Sequence, residues 1–511
     1  MPDQSPLLAG HAKSDITTSD PSRVVHDPLQ AKALVLSDGE TTLAIVAMDV
    51  VAIGMIFDVP DDFLPRLRAR IEAELGIPGS HVLVNASHTH PPGRILCPDE
   101  ELRARVFDAV KRASEAMVPV TVGVGSGADK RWTINRTLRM KDGTGWTIRH
   151  ANPCPPDDAV DHLGPLDSEI GILRLDREDG RPFAVVYNFA CHPLYAFNGG
   201  PISANYPGVA SQVIEEHLSA VQDSADRVGR DMEDRVGRDI LDRPEDRPMA
   251  LFLQGAGGDV CDVLYKDVHH PRDIRPFGMM LGLNTLRAWA DIVTGGATLK
   301  VITETVELPR RTDVPERLAA LEQEQAELLA SLRGMSLNFR AFLPLYLKHL
   351  MNPDFPADYS YRYLQEEAVS RSDLRQMDAD NQRHLNKYLH NIRVMERLAH
   401  IQDDIGTLKG HHAFNVQSGE ETFTAEVMGM RIGECVFITC PAEVLTEVGL
   451  NIKRNSPHEY TFMAAFSNGY AHYGPPASDY PLGGYEVTEC FLGAGWQEIY
   501  EAKAADILSR L

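Results

Sequence analysis

HVLVNASHTHPPG, residues His81–Gly93, is the stretch from which the fold is read. The run His81-Val82-Leu83-Val84 has the short, β-branched character of a core strand, and Pro91-Pro92-Gly93 cannot continue one. His88 and His90 therefore stand at a strand's exit, in extended or turn geometry. Residues two apart in extended backbone project the same way, so both imidazoles are expected to face one cavity. A His-x-His pair in a polar loop also occurs as a plain solvated pair, and its meaning depends on what the rest of the chain brings to it.

The same layout recurs further along. The hairpin of Ile170–Leu175 and Phe183–Phe189 ends in NFACHPL, Asn188–Leu194, which puts His192 at the exit of an apolar strand. Ala250–Leu253 leads into QGAGGDVCD, Gln254–Asp262, whose glycines let the backbone approach a ligand closely; no Lys-Ser/Thr follows, so this is not a Walker loop. Cys261 reads as a nucleophile, a pocket wall or a packing residue, and a lone cysteine is most often packing. Strands at Thr422–Met430 and Glu434–Thr439 lead to CPAEVLTEVGLNIK, Cys440–Lys453, with Glu443 where a strand gives way to a helix. The helix dipole alone favours an acid there. In layered α/β folds such exits converge, so residues remote in sequence meet in space. Two histidines, a carboxylate and a further oxygen ligand or water make a zinc set.

Around these segments strands and helices alternate. Ala31–Leu36 and Thr42–Met48 flank the turn Ser37-Asp38-Gly39; helices are expected over Asp61–Leu75, about Asp99–Met117, Val209–Leu218 and Gln497–Leu511, and a strand over Val118–Val124. The pattern predicts an α/β fold of mixed central β-sheets flanked by helices. All 511 residues read as one domain with two insertions. Residues 223–247 are strongly charged, repeat DRVGRD at Asp226–Asp231 and Asp234–Asp239, and read as a mobile surface insertion. Residues 315–408 read as two or three surface helices packed on themselves, a lid, or an oligomer contact. Ser467–Val487 crowds tyrosines and glycines into one loop, a pattern common in surface packing.

Hydrophobic residues make up 43% and charged residues 24%, ordinary globular usage. A net charge of -23 argues against nucleic-acid binding and against stable association with an anionic membrane. The seven cysteines are scattered without a CxxC pair, which fits a reducing compartment. The N-terminal residues carry neither the basic start nor the apolar run of a signal peptide, and no segment is apolar enough to span a membrane. A cytoplasmic location is expected, and a homo-oligomer is compatible with the sequence.

NASHTHPPG, INR at Ile134–Arg136, NFACHPL, NYPG at Asn205–Gly208, QGAGGDV, PAE at Pro441–Glu443, and YAHY followed by YEV occur in this order between Ala9 and Tyr500. Together they resemble the catalytic domain of the neutral ceramidase family. The resemblance implies a zinc ion held by His88, His192, Glu443 and Tyr473, and a reaction centre lined by His90, Arg136 and Tyr485. Tyr485 follows Tyr473 by 12 positions, the spacing the resemblance requires. On this view zinc polarises the substrate carbonyl and binds the attacking water, His90 is the base, and Arg136 and Tyr485 stabilise the oxyanion. Gly257, Asp259 and Cys261 are the expected substrate-binding positions. Many ceramidases read GDVSPN where this chain reads GDVCDV, so Cys261 replaces a serine. Neither a secretion signal nor the C-terminal β-rich domain of true ceramidases is matched, and the Pro315–Leu408 block has no counterpart in the resemblance. The expected function is a zinc-dependent hydrolase cleaving an amide bond in a small-molecule N-acyl substrate rather than membrane ceramide. Alternatives are an esterase or lactonase with the same zinc chemistry, a Cys261 thiol hydrolase with His90 or His192 as base, and a non-catalytic zinc-binding domain.

Overall fold

Three pairs of parallel strands, each joined by a helix, organise the chain. The computed structural model describes residues 6–56, 58–90, 94–148, 155–194, 201–228, 246–262, 273–357 and 360–511. Thr42–Met48 runs parallel to Val82–Ala86 with the helix Phe63–Leu75 between them in sequence. Pro182–Phe189 and Met249–Gln254 are joined through Asn205–Val228, and Cys435–Thr439 and Tyr460–Ala464 through Thr446–Asn455. No tight turn can close a parallel pair, so a crossover is obligatory. Val82–Ala86, Pro182–Phe189, Met249–Gln254 and Cys435–Thr439 are buried along their whole length, which is why they read as continuous apolar runs.

Two of the pairs form the ends of an eight-stranded sheet. Its spatial order is Met249–Gln254, Pro182–Phe189, Glu169–Arg177, Val118–Ala128, Leu8–Asp15, Gln30–Ser37, Thr42–Met48, Val82–Ala86, and the inner neighbours are antiparallel. The third pair edges a four-stranded sheet with Leu299–Pro309 and Thr422–Ile432. Leu36, Ile45, Leu173 and Leu251 of the first sheet share a core with Met428, Phe437 and Phe462 of the second. Elsewhere on the large sheet, Tyr187 and Phe252 pack under Tyr206 and Ile214 of Asn205–Val228 and Phe277 and Leu281 of Arg275–Trp289. The α/β fold expected from the sequence is borne out.

The carboxyl ends of the three pairs meet, and buried amides fasten them. Asn85 Nδ2 donates to Ala465 O at 2.6 Å while its Oδ1 accepts from Gln254 N at 2.9 Å. Ala465 N–H donates in turn to Gln254 O at 3.0 Å. Asn188 Nδ2 reaches both Leu253 O and Met463 O at 2.9 Å. Each amide satisfies backbone groups that a sheet leaves unpaired where its strands end.

The chain divides into two compact units, Met1–Arg311 with Glu420–Leu511, and Thr312–Gly419. In the first, the points of departure and return are paired, Arg310 N–H donating to Glu421 O at 2.9 Å. In the second, the helices Val314–Ser331, Phe339–Met351, Ser360–Ala368 and Asp373–Ser418 enclose a narrow core containing Leu385, Val394, Ile401 and Ile405. Phe342 stacks on Tyr388 with ring centroids 4.3 Å apart, and Arg397 forks onto Glu324 at 2.7 and 2.8 Å. Helical structure thus continues past Leu408. The helix expected at Val209–Leu218 also runs further, from Asn205 to Val228, because Asp223–Val228 contains neither Gly nor Pro to stop it. Of the charged segment at 223–247, residues 229–245 lie outside the described residues. Among the described residues, no helix is long and apolar enough to cross a membrane.

Glu215 clamps the long crossover helix to the large sheet. Its carboxylate takes Lys32 Nζ at 2.7 Å and Lys13 Nζ at 3.1 Å, and Lys32 also donates to Ala250 O at 2.8 Å. Burial pushes the carboxyl up, but the two lysines outweigh it and bring it from its ordinary 4.5 to about 2. A pKa depressed in the folded state contributes stability above the unfolded value that is lost as pH falls through the folded one. Glu215→Gln is expected to lower stability by on the order of 2 kcal/mol near neutral pH, and by progressively less below about pH 4.5. Urea unfolding of wild type and variant at both ends of that range checks this; a difference independent of pH would contradict it.

Candidate metal centre

His88 stands two residues past the end of the Val82–Ala86 strand, with a backbone φ of 65°. This is the left-handed region, uncommon outside glycine and often seen at functional sites. Of the extended or turn geometry expected at this exit, the backbone at His88 takes the turn. It lets His88 N–H donate to Val50 O at 2.9 Å and Nδ1–H to Val51 O at 2.7 Å. Phe466 packs on the ring with centroids 4.2 Å apart. At the exit of Pro182–Phe189, His192 is held the same way, N–H to Val260 O at 2.9 Å and Nδ1–H to Gly257 O at 2.7 Å. A carbonyl only accepts, so both Nδ1 atoms carry protons, and in the neutral rings both Nε2 lone pairs point inward.

Glu443 arrives on a short strand, Glu443–Val444, paired in parallel with Tyr473–Gly474 so that Glu443 and Tyr473 are direct neighbours. Glu443 Oε2 lies 2.9 Å from His192 Nε2 and 3.3 Å from His88 Nε2. The other oxygen accepts a short hydrogen bond from Tyr470. Tyr473 OH is 3.4 Å from His192 Nε2, and His90 Nε2 is 2.8 Å from His88 Nε2. Nitrogens of His88, His90 and His192 all fall within 4.8 Å of one another. The structure thus brings together the four residues expected to bind metal and His90.

The electrostatics of this cluster call for a cation. An imidazole lone pair and a carboxylate oxygen are both acceptors, and buried side by side they repel unless a positive charge lies between them. Burial, with Arg136 adding to it, pushes His192 down to about 4, so its ring supplies no such charge at neutral pH. Burial and the neighbouring His88 and His192 push His90 well below the ordinary histidine range. Burial, then the nearby Glu443, push the Tyr473 phenol well above its ordinary value. A tetrahedral zinc with bonds of about 2.0–2.1 Å spaces its donors by roughly 3.3 Å, close to the separations seen among His88, His192, Glu443 and Tyr473. The donor set fits the ion.

Arg136 is buried beside this cluster. It donates from Nε to Glu486 Oε1 at 3.0 Å and from Nη2 to Gly258 O at 3.0 Å and Tyr473 OH at 2.9 Å. Its Nη1 has no hydrogen bond among the described residues. Glu486 Oε2 is held in turn by Thr147 Oγ1 at 2.6 Å. The Tyr485 ring stands 5.8 Å from the guanidinium and edge-on to Tyr473.

The glycine-rich loop threads between the segments that carry His192 and Glu443. A Cβ on Gly257 would lie 2.7 Å from Cys191 N, and one on Gly258 2.5 Å from Glu443 O. The close approach that these glycines permit is thus to the backbones around His192 and Glu443. Asp259 is likewise engaged by protein: Oδ1 accepts from Thr446 N at 2.8 Å and Thr446 Oγ1 at 2.7 Å, and Oδ2 from Asn135 at 2.6 Å. Cys261, on the strand Val260–Asp262 paired with Thr133–Asn135, is buried against Leu194 and Ile134. Sequence reasoning had not singled out Tyr470, Glu486 or the amides of Asn85 and Asn188. Tyr470 and Glu486 lie inside the YAHY and YEV motifs, and a buried arginine is itself a signal that a carboxylate must be near.

The chain shares its fold with the neutral ceramidases. All of it (100%) is similar to 75% of the crystal structure of neutral ceramidase from Pseudomonas aeruginosa, with a TM-score of 0.58 and 16% identity. A ceramidase complexed with C2 gives a TM-score of 0.59 at 15% identity, covering 99% of this chain and 76% of that one. No protein-family model matches the sequence, and no curated protein matches it. The resemblance read from the motifs is therefore borne out as a likeness of fold.

Glu486→Ala should leave the Arg136 guanidinium buried without its carboxylate, at a cost of about 3–5 kcal/mol in urea unfolding. Glu486→Gln, which keeps an acceptor for Nε, should cost less. An alanine variant as stable as wild type would contradict the pair.

Proposed function

We propose that the chain is a zinc-dependent hydrolase that cleaves the amide bond of an N-acyl substrate. One observation carries this reading. The Nε2 atoms of His88 and His192 and a carboxylate oxygen of Glu443 converge as acceptors, with both Nδ1 protons committed to backbone carbonyls. His88, His192, Glu443 and Tyr473 would hold the ion. When bound, zinc supplies Lewis-acid polarisation of an acyl carbonyl and acidifies water.

The chain's own residues supply the rest. His90, half-buried beside His88, takes the proton of the attacking water and returns it to the leaving nitrogen. Arg136, aimed by Glu486 and Gly258, presents Nη1 to the carbonyl oxygen as negative charge develops, and Tyr485 offers its hydroxyl to the same oxygen. Gly257 and Asp259 act on the substrate through the ligand-bearing backbone they hold in place. Cys261, buried against Leu194 and Ile134, closes the wall beside Arg136; a thiol mechanism would leave the convergent acceptors of His88, His192 and Glu443 without a purpose. The amide reading is supported by the fold, since the similar solved structures are named as ceramidases and ceramide is an N-acyl amide.

Elemental analysis and hydrolysis of a panel of N-acyl amides, esters and lactones test the proposal together. The expected result is about one zinc per chain, with metal and turnover both lost in His88→Ala and both kept in Cys261→Ser. His90→Ala should keep the metal and lose on the order of 10²–10⁴ in kcat. Turnover by metal-free protein, or its loss in Cys261→Ser with metal retained, would overturn the reading. A preference for esters or lactones over every amide would move the substrate but not the chemistry.

A further inference from the structure

In the Thr312–Gly419 unit, the helix Phe339–Met351 buries one face and leaves another uncovered. Phe342 and Tyr346 stack with ring centroids 5.4 Å apart, and Phe342 continues onto Tyr388 of the long helix. Alongside them on the helix Phe339, Leu343, Leu347, Leu350 and Met351 are exposed, from 41% at Leu343 to 83% at Met351. Recurrence every three or four positions places the first four on one helix face. The chain leading into this helix adds Leu332 and Met335, both also exposed. A continuous apolar surface of this kind marks an interaction site.

The charges around it indicate the partner. Between Glu327 and Asp354 there is no acidic residue, whereas Arg333, Arg340 and Lys348 all lie there and are exposed. This stands out in a chain of net charge -23. At physiological ionic strength fields are screened within about 8 Å, so the local sign governs a surface in contact rather than the total. An exposed apolar helix face whose own segment carries only basic charged side chains is the pattern of a helix lying in a lipid interface, its aliphatic stripe among the acyl chains and its long basic side chains reaching the headgroups. Pairing with a second copy through the same face would bring Arg340 and Lys348 of both copies together, which is unfavourable.

We propose that Phe339–Met351 adsorbs reversibly to anionic lipid surfaces. The inference does not rest on the hydrolase reading, because it is tested by binding alone. Full-length protein is sedimented with vesicles of phosphatidylcholine containing phosphatidylglycerol, and with phosphatidylcholine alone. Wild type should bind the anionic vesicles in a salt-sensitive manner. Leu343→Glu/Leu347→Glu should bind at least about tenfold more weakly, and Arg340→Glu/Lys348→Glu should also lose affinity. Circular dichroism of both variants, and their hydrolysis of a short-chain soluble substrate if wild type has that activity, should match wild type. Absence of sedimentation at low salt, or equal binding by the leucine variant, would overturn the proposal. So would a wild-type dimer, seen by light scattering, that becomes monomeric in Leu343→Glu/Leu347→Glu without any vesicle binding; the face would then join two copies.

Discussion

Two imidazole nitrogens and a carboxylate oxygen, all of them acceptors on buried side chains, are packed 2.9 and 3.3 Å apart. Left alone, such a cluster costs the desolvation of a charge and the mutual repulsion of lone pairs, which the hydrogen bond from Tyr470 offsets only in part. The arrangement persists because each group is anchored from behind, His88 by Val51 O, His192 by Gly257 O and Glu443 by Tyr470. These anchors fix the rings in the tautomer a metal needs and leave no freedom to turn the lone pairs away. Arg136 brings a positive charge alongside but is itself matched to Glu486, so it does not neutralise the cluster.

The fold serves this constraint through its three crossover units. A parallel strand pair sends both carboxyl ends in one direction, and three such pairs aimed at one place deliver His88, His192 and the glycine-rich loop, together with the segments that carry Glu443 and Phe466. Strand ends carry unpaired backbone groups, which would be costly where they meet in the interior. The amides of Asn85 and Asn188 resolve this by bridging one pair to the next. The smallest residues sit where the segments crowd most, at Gly257 and Gly258. The same amides that satisfy the strand ends thus hold together the segments that carry His88, His192 and Glu443.

Much of this was legible in the sequence. Apolar runs that end in His88/His90, in His192 and near Glu443 marked the strand exits, and alternation of strand with helix marked the α/β architecture. The motifs carried the likeness of fold even though overall identity to the solved structures is 16% or below. What stayed hidden depends on contacts between distant segments or on elements too short to show a period. The pairing of Glu443 with Tyr473 involves strands of two residues. The turn at His88 is set by Val50 and Val51, more than thirty positions earlier, and the partner of Arg136 comes from the far end of the chain. The apolar spacing in Phe339–Met351 was visible in the sequence, but which face is covered depends on the helices it packs against.

Crystals grown with zinc, measured for anomalous scattering at the zinc absorption edge, test the proposed metal centre at its source. A single strong peak about 2.0–2.2 Å from His88 Nε2, His192 Nε2 and a Glu443 carboxylate oxygen is expected. Zinc bound only at other groups, with these three side chains resolved and no peak among them, would contradict it.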